Sequence, residues 1–356
     1  MRGGGHHGAR RAEGARDMKI FGKNLERDLV VIAEIGVNHE GDPEVASKLV
    51  RAAAEAGADA VKFQSYTPER YISQADPERF ARVGRFALDI PTHRRLAAEA
   101  KEAGIAFLST AVTEDWVPLL AELSPVLKIA SGDLTFEPVI RAAARSGRQV
   151  ILSVGLGTIE EIDRSVGWFA DEIGPDADLR ERLALLHCVV AYPTPVEQAN
   201  VLSVRFLAER YNLHVGYSNH VIGPEACYAA VAIGAPIVEV HFTDKKTGRT
   251  FRDHALSYEP SDLRSLVDTL GRIRASLGRI GKQRAEAELG NLTPARKGII
   301  AARELPPGTI VAESDLMYSR PVFDFSSNDL ALVIGRKTQS PIGKGMPVRA
   351  ADLAEG

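Results

Sequence analysis

The sequence predicts a closed (β/α)8 barrel followed by a small β-rich module, and three observations carry that expectation. Short apolar strand patterns alternate with amphipathic helix patterns from Leu29 onward, eight such strands can be counted, and the rhythm breaks after a polar stretch near residue 284. Strand–helix alternation specifies a parallel sheet, and eight units close it into a barrel. An open doubly wound sheet is the competing arrangement, but no Gly-rich dinucleotide loop follows the first strand.

The chain begins MRGGGHHGARRAEGARD, basic and rich in Gly and Arg, without the apolar centre of a secretory signal. Residues 1–17 therefore read as a disordered tail, in which His6 and His7 are incidental. The expected strands are LVVIAEI from Leu29, DAVKFQ from Asp59, IAFLST from Ile105, PVLKIAS from Pro125, QVILSVG from Gln149, LALLHC from Leu183, LHVGYS from Leu213 and PIVEVHFT from Pro236. Helical segments such as EVASKLVRAAAEAG, THRRLAAEAKEAG and EPVIRAAARSG lie between them, stopped by Gly57, Gly104 and Gly147 at C′ positions. Residues 18–283 are thus assigned to the barrel, 284–296 to a linker and 297–356 to the second module. That module has two similar halves, each with a strand, a Gly turn after Pro or Lys, and an acidic SDL or ADL ending.

Composition excludes several classes. With 356 residues, a net charge of −3 and ordinary apolar content, the chain reads as a soluble globular protein with no electrostatic case for nucleic acid or an anionic membrane. No apolar run approaches the ~18–20 residues that span a bilayer, and the cytoplasm is the default location. Only Cys188 and Cys227 occur, so neither a disulfide scaffold nor a zinc cage is expected.

Barrel chemistry sits at the carboxyl ends of the strands. Those ends carry Glu34, Lys62 with Gln64, Ser109 with Thr110, Lys128 and Ser131, Ser153, His187 near Tyr192, Ser218 with His220, and Glu239 with His241. Each has an ordinary explanation: a lysine can snorkel, a serine can open a turn, and a strand histidine is usually a core residue with satisfied nitrogens. Convergence of so many on one mouth predicts a catalytic site. Lysines and hydroxyls suit phosphate and carboxylate groups. His220 and His241 end adjacent strands, about 4.8 Å apart, so both rings could reach one divalent cation. Histidine and oxygen donors without a thiolate favour Mn2+ or Mg2+, with Zn2+ or Co2+ after them.

The stretches IAEIGVNHEG, GADAVKFQ, LST, KIASGD, ILSVG, LLHCVVAYPTP, GYSNH, VEVHFT and DHALS resemble the sialic acid synthase family, including legionaminic and pseudaminic acid synthases. The tail resembles the antifreeze-like (SAF, β-clip) module that ends these synthases. The resemblance implies a transferase that condenses phosphoenolpyruvate with an open-chain N-acyl hexosamine, giving a nonulosonic acid and phosphate with C–O cleavage. It implies His220 and His241 as metal ligands that polarise the aldehyde and Glu34 as the acid/base. Lys62, Thr110, Lys128, Ser131, Ser153 and Ser218 would hold phosphoenolpyruvate. Gln64, Tyr192, Glu239 and Asp253 would line the sugar, and Arg320 would reach the partner's site in a domain-swapped homodimer.

Some positions depart from the family pattern: Val190 for asparagine, Asn219 for aspartate, Asp133 for glutamate, Val240 for lysine, and RPVFDF, with Phe323 and Phe325, for a glycine-rich loop. These changes are expected close to the acceptor, so a diacetamido-trideoxy hexose or another aldehyde is an alternative to N-acetylmannosamine. A metal-dependent aldolase would not need the lysine–serine set, and a non-catalytic sugar-binding homologue would be expected to lose Glu34, Lys128 or a histidine. All are present.

Overall fold

The structure, a computed structural model, describes residues 18–249 and 251–354; the tail expected over residues 1–17 lies outside them. Eight parallel strands close into a barrel: β1 Val30–Gly36, β2 Ala60–Ser65, β3 Ala106–Ala111, β4 Val126–Ile129, β5 Gln149–Ser153, β6 Leu183–His187, β7 His214–Asn219 and β8 Ile237–His241, with β8 pairing β1. Each predicted strand is present within a few residues. The strands that stop two residues early are β4, which ends at Ile129 so that Ser131–Asp133 forms a 3-10 turn, β5, which ends at Ser153 rather than Gly155, and β8, which ends at His241 rather than Thr243.

Alternation along the strands sorts side chains into two cores. Val31, Ala33, Val61, Phe63, Leu127, Leu152, Val238 and Val240 point outward under the helices, where Leu49, Leu96, Ile140 and Leu266 pack on them. Val30, Ile32, Ala60, Leu108, Val126, Ile151, Ala184, Leu186 and Ile237 fill the barrel's lower interior. Below them a hairpin, Lys19–Ile20 with Lys23–Asn24, seats Met18, Ile20 and Leu25 against that layer and plugs the floor. The apolar plug leaves only the carboxyl ends of the strands open for chemistry.

The helices start and stop where local chemistry directs. Asp42 caps the Pro43–Glu55 helix by accepting from the N–H groups of Glu44 and Val45. Thr158 and Glu161 form a capping box at the start of the Ile159–Ile173 helix. No helix of the described residues is long and apolar enough to cross a membrane.

The chain divides into two compact units, one ending at Gly278 and one beginning at Arg279. Residues 284–296, expected as a linker, contain a 3-10 segment, Glu286–Asn291, and a short helix, Leu292–Ala295. In the second unit, β9 Gly298–Ala301 pairs antiparallel with β10 Leu316–Ser319 around a small core of Ile299, Leu305, Val311, Val333, Ile342 and Val348. Its two halves repeat one device: Asp315 and Asp352 accept from the backbone N–H of Ala312 and Arg349, at 3.1 and 3.0 Å. Phe325 belongs to this core, while Phe323 is exposed under the Arg349 guanidinium, 4.7 Å from its ring centre.

Candidate active site

Two residues above the apolar layer, the same inward-facing positions become polar. Register places His241 beside Glu34, Glu34 beside Lys62, Gln64 beside Thr110, Thr110 beside Lys128, and Glu239 beside Ser218. They form the floor of a cavity of about 1240 Å3. At the strand start of the barrel, a smaller cavity of about 340 Å3 is lined by Lys23, Asp59 and Arg274 and is remote from these groups.

The centre of the floor is a buried ion network. Lys62 Nζ lies 2.6 Å from Glu34 Oε2 and 3.6 Å from Glu239 Oε1, and it donates to Thr110 Oγ1 at 3.2 Å. Glu239 accepts from Ser218 Oγ at 3.0 Å. Lys128 Nζ donates to Ser153 Oγ at 2.6 Å and to the Ile129 carbonyl at 3.0 Å. A β-bulge at Glu34/Gly36 swings the chain around Glu34; Gly36 has φ of +56°, and a Cβ there would lie 3.0 Å from Glu34 Oε1.

The balance between burial and the neighbouring lysines divides the two carboxylates. Desolvation raises Glu34 to about 7, against the pull of Lys62. Burial would raise Glu239 as well, but Lys62 and Lys128 outweigh it and hold it below the usual range. One site thus presents a carboxyl poised near neutrality and another kept ionised. Burial lowers Lys128, whereas the two glutamates overcome burial and raise Lys62. Asp133, on the turn after β4, is raised to about 7 by burial.

His220 and His241 face one another with ring centres 5.4 Å apart. Both are buried, and desolvation lowers both below the ordinary imidazole range, so they are neutral at pH 7. His220 Nδ1 lies 2.6 Å from the Val189 carbonyl, which fixes it as the N–H and leaves Nε2 as the lone-pair nitrogen. His241 Nδ1 and Glu239 Oε2 are buried with no hydrogen-bond partner. Two neutral imidazoles, one with an unsatisfied nitrogen, beside an ionised carboxylate fit a divalent cation in an open site. Among the described residues there is no group of three or more His, Cys, Asp or Glu arranged as a metal cage. Tyr192 lies tilted against His220, centres 4.2 Å apart, with the Arg252 guanidinium 4.9 Å from its ring centre.

Of the residues expected from the sequence, Glu34, Lys62, Gln64, Thr110, Lys128, Ser131, Ser153, Tyr192, Ser218, His220, Glu239, His241 and Asp253 line this cavity together. Arg320 belongs to the second unit, exposed directly after β10. Two strand-end residues turn away from the mouth. Ser109 points outward and bonds Ser65 at 2.7 Å, which in turn meets His93 at 2.8 Å. His187 also points outward and meets the Ala199 carbonyl at 3.0 Å. Two departures expected near the acceptor are also elsewhere: Val240 packs in the outer core, and Asn219 folds onto Val221 in a local turn. Val190 and Asp133 do line the cavity. Sequence reasoning missed the arginines of the segment after β2: Arg70, Arg79, Arg82 and Arg85 all reach the mouth.

Against this geometry, residues 49–282 match the NeuB family and residues 296–354 match the SAF domain. The chain belongs to the NeuB family. This family member is 34% identical over 312 residues to the N,N'-diacetyllegionaminic acid synthase of Campylobacter jejuni, an alignment covering 84% of this chain and 92% of that one. Its identity to the human N-acetylneuraminate-9-phosphate synthase is 31% over 297 residues, 79% of this chain and 80% of the human one. Among solved structures, the N-acetylneuraminic acid (sialic acid) synthetase from Leptospira borgpetersenii serovar Hardjo-bovis, in complex with citrate, superposes with a TM-score of 0.69 at 33% identity, covering 75% of this chain and 90% of that one.

Proposed function

We propose that this NeuB-family chain condenses phosphoenolpyruvate with the open-chain aldehyde of an N-acyl amino sugar, giving a nonulosonic acid and inorganic phosphate. The observation that carries this reading is the floor itself: Lys62 and Lys128, held among Thr110, Ser153 and Ser218, beside a near-neutral Glu34 and two neutral imidazoles. The names of two of its relatives, an N,N'-diacetyllegionaminic acid synthase and an N-acetylneuraminate-9-phosphate synthase, point the same way.

In this reading the lysines and hydroxyls, with Ser131, bind the carboxylate and phosphate of the donor and hold its C3 toward the aldehyde. The C3–C1 bond forms as the aldehyde oxygen takes a proton from Glu34, which its near-neutral pKa allows. The resulting carboxylate then receives a proton from the water that adds at C2. The C2–O bond to phosphate breaks as the C2 hydroxyl passes its remaining proton to the departing phosphate, leaving the keto acid and hydrogen phosphate. Gln64, Tyr192, Glu239 and Asp253 would orient the sugar from the cavity wall. His220 and His241 would hold a divalent cation, Mn2+ before Mg2+ or Co2+, which when bound supplies Lewis-acid polarisation of the aldehyde. The swapped homodimer and the role of Arg320 enter this reading through the resemblance of the SAF module.

Within the same chemistry a diacetamido-trideoxy hexose is the alternative acceptor, since Val190 sets an apolar wall where a side-chain amide is usual. The test is incubation with phosphoenolpyruvate, Mn2+ and a panel of amino-sugar aldehydes, following phosphate release and product mass. Acceptor-dependent phosphate with the matching keto-acid mass is expected. Absence of phosphoenolpyruvate binding would overturn the reading.

A further inference from the structure

The cavity has one wall that the condensation chemistry does not use. It is the helix Pro77–Phe86, which places Arg79, Arg82 and Arg85 at the mouth at three-residue spacing. Spacing of this kind stacks side chains along one side of a helix, where like charges repel. Elsewhere in this molecule, arginines on helices find carboxylates: Arg94 with Glu122, Arg95 with Glu44, Arg141 with Glu137, Arg205 with Glu209 and Arg210 with Asp163. At the mouth, Arg70 is paired with Glu114, and Arg252 with Asp253. Arg79, Arg82 and Arg85 have no carboxylate within ion-pair distance among the described residues; Arg79 meets the Tyr71 hydroxyl, and Arg85 lies over the Phe86 ring.

The helix is also fixed in place. Phe86 is buried and packs edge-on against Phe251, ring centres 5.6 Å apart. Tyr66 donates its hydroxyl to the Val83 carbonyl at 3.2 Å. Gly41, at φ +85°, presses so closely on the helix end that a Cβ there would lie 2.2 Å from the Arg85 carbonyl oxygen. Asp76 caps the other end at Arg79 N. Unpaired guanidinium groups on an anchored wall form a preorganised oxyanion receptor. Room is available: the cavity, about 1240 Å3, exceeds the roughly 300–1,000 Å3 of ordinary small-molecule pockets.

We infer that the Pro77–Phe86 helix forms an anion subsite that selects an acceptor bearing a phosphate or carboxylate at the end remote from its aldehyde. The inference rests on the condensation reading for the identity of the ligand as an acceptor. The donor's own anionic groups are accounted for by Lys62, Lys128 and the floor hydroxyls. Arginine suits the task because its planar fork binds either oxyanion through paired N–H donors.

The experiment has a binding arm and a turnover arm. Unreactive alditols are used for binding: N-acetylmannosaminitol, its 6-phosphate, and the corresponding uronic acid, titrated calorimetrically into the full chain with phosphoenolpyruvate and Mn2+ at low and high salt. The anionic alditols should bind about tenfold or more tightly than the neutral one, less so at high salt. The ratio should collapse toward one in R82Q/R85Q, whose altered side chains are exposed, and partly survive in R82K/R85K. The phosphate and uronate compounds decide which oxyanion the wall prefers. Equal binding of neutral and anionic alditols, or a preference unchanged in R82Q/R85Q, overturns the subsite. In turnover, the matching aldehydes should follow the same order in kcat/KM, and faster use of a neutral diacetamido sugar would also overturn it. Anion-selective binding without phosphate release from any aldehyde would leave the subsite standing and remove the condensation reading.

Discussion

The lower and upper halves of the barrel interior are built from the same strands, two residues apart, yet they do opposite things. Ile32 and Glu34 face inward on β1, Ala60 and Lys62 on β2, Val126 and Lys128 on β4, Ile151 and Ser153 on β5, and Ile237 and Glu239 on β8. Parity decides which side a residue faces, and height decides which chemistry it meets. The lower layer is dry because the Met18, Ile20 and Leu25 plug closes it. The upper layer confines four charged side chains in a buried space. Such charges persist only where each is paired or bridged.

The comparison breaks most severely at Lys62, which bridges both buried glutamates. Lys62→Met should destabilise the chain by about 3–5 kcal/mol, the cost of leaving buried charge without its partner, and abolish phosphate release. Its counterpart is Leu108→Ala in the lower layer, next to Lys62 in register. That change should cost ~2–5 kcal/mol through a cavity, with KM for phosphoenolpyruvate retained at temperatures where the variant is folded. Urea denaturation and steady-state kinetics on both proteins decide the matter. An equal rise in KM from Leu108→Ala would show that the layers are mechanically one.

A second test uses proton linkage. Glu34 is raised to about 7 in the fold, so between the unfolded value near 4.5 and pH 7 the folded state binds the extra proton. Its contribution to stability is therefore lost as pH rises through that window. His39 is opposite: burial lowers it to about 4, so the unfolded state binds the extra proton below pH 6.5 and stability is lost as pH falls toward 4. Each is worth on the order of 3 kcal/mol. The two largely offset one another in metal-free wild type. Glu34→Gln removes one side of the balance, so its stability should climb from pH 4 to 6.5 more steeply than wild type does. Parallel curves from denaturation across that pH range would mean that Glu34 is not perturbed by its burial.

Most of this arrangement could be read before the structure, because a strand's alternation and a barrel's polarity are properties of local sequence. The histidine that ends the strand IVEVH faces inward because Ile237 and Glu239 do, and β8 closes on β1 so that it lands beside Glu34. The same rule, applied strictly, turns His187 and Ser109 outward, since Leu186 and Leu108 face the interior. Counting strand-end polar residues without parity included both. The arginine wall was not legible for a different reason. Its helix is placed by contacts distant in sequence, Gly41 with Arg85 and Phe86 with Phe251, and nothing local says which way an exposed amphipathic turn will face. The floor plug was missed likewise, because its two-residue strands have no periodicity to detect.

The finest test compares two hydroxyls five residues apart. Ser153 ends β5 inside the barrel, accepting from Lys128 Nζ at 2.6 Å, and Thr158 caps the following helix on the outer ring. Thr158→Ala removes the acceptor for the Glu161 N–H and should cost about 1 kcal/mol of stability, visible as a lower denaturation midpoint. It should leave KM for phosphoenolpyruvate alone, because no group of the cavity touches Thr158. Ser153→Ala deprives a buried ammonium of one of its two oxygen partners, and KM for phosphoenolpyruvate should rise about tenfold or more, as expected when a hydrogen bond to a charged group is lost. A KM effect from Thr158→Ala as large as that from Ser153→Ala would mean that the outer ring positions the donor as much as the floor does, and that the boundary between scaffold and site lies farther out than the strand ends.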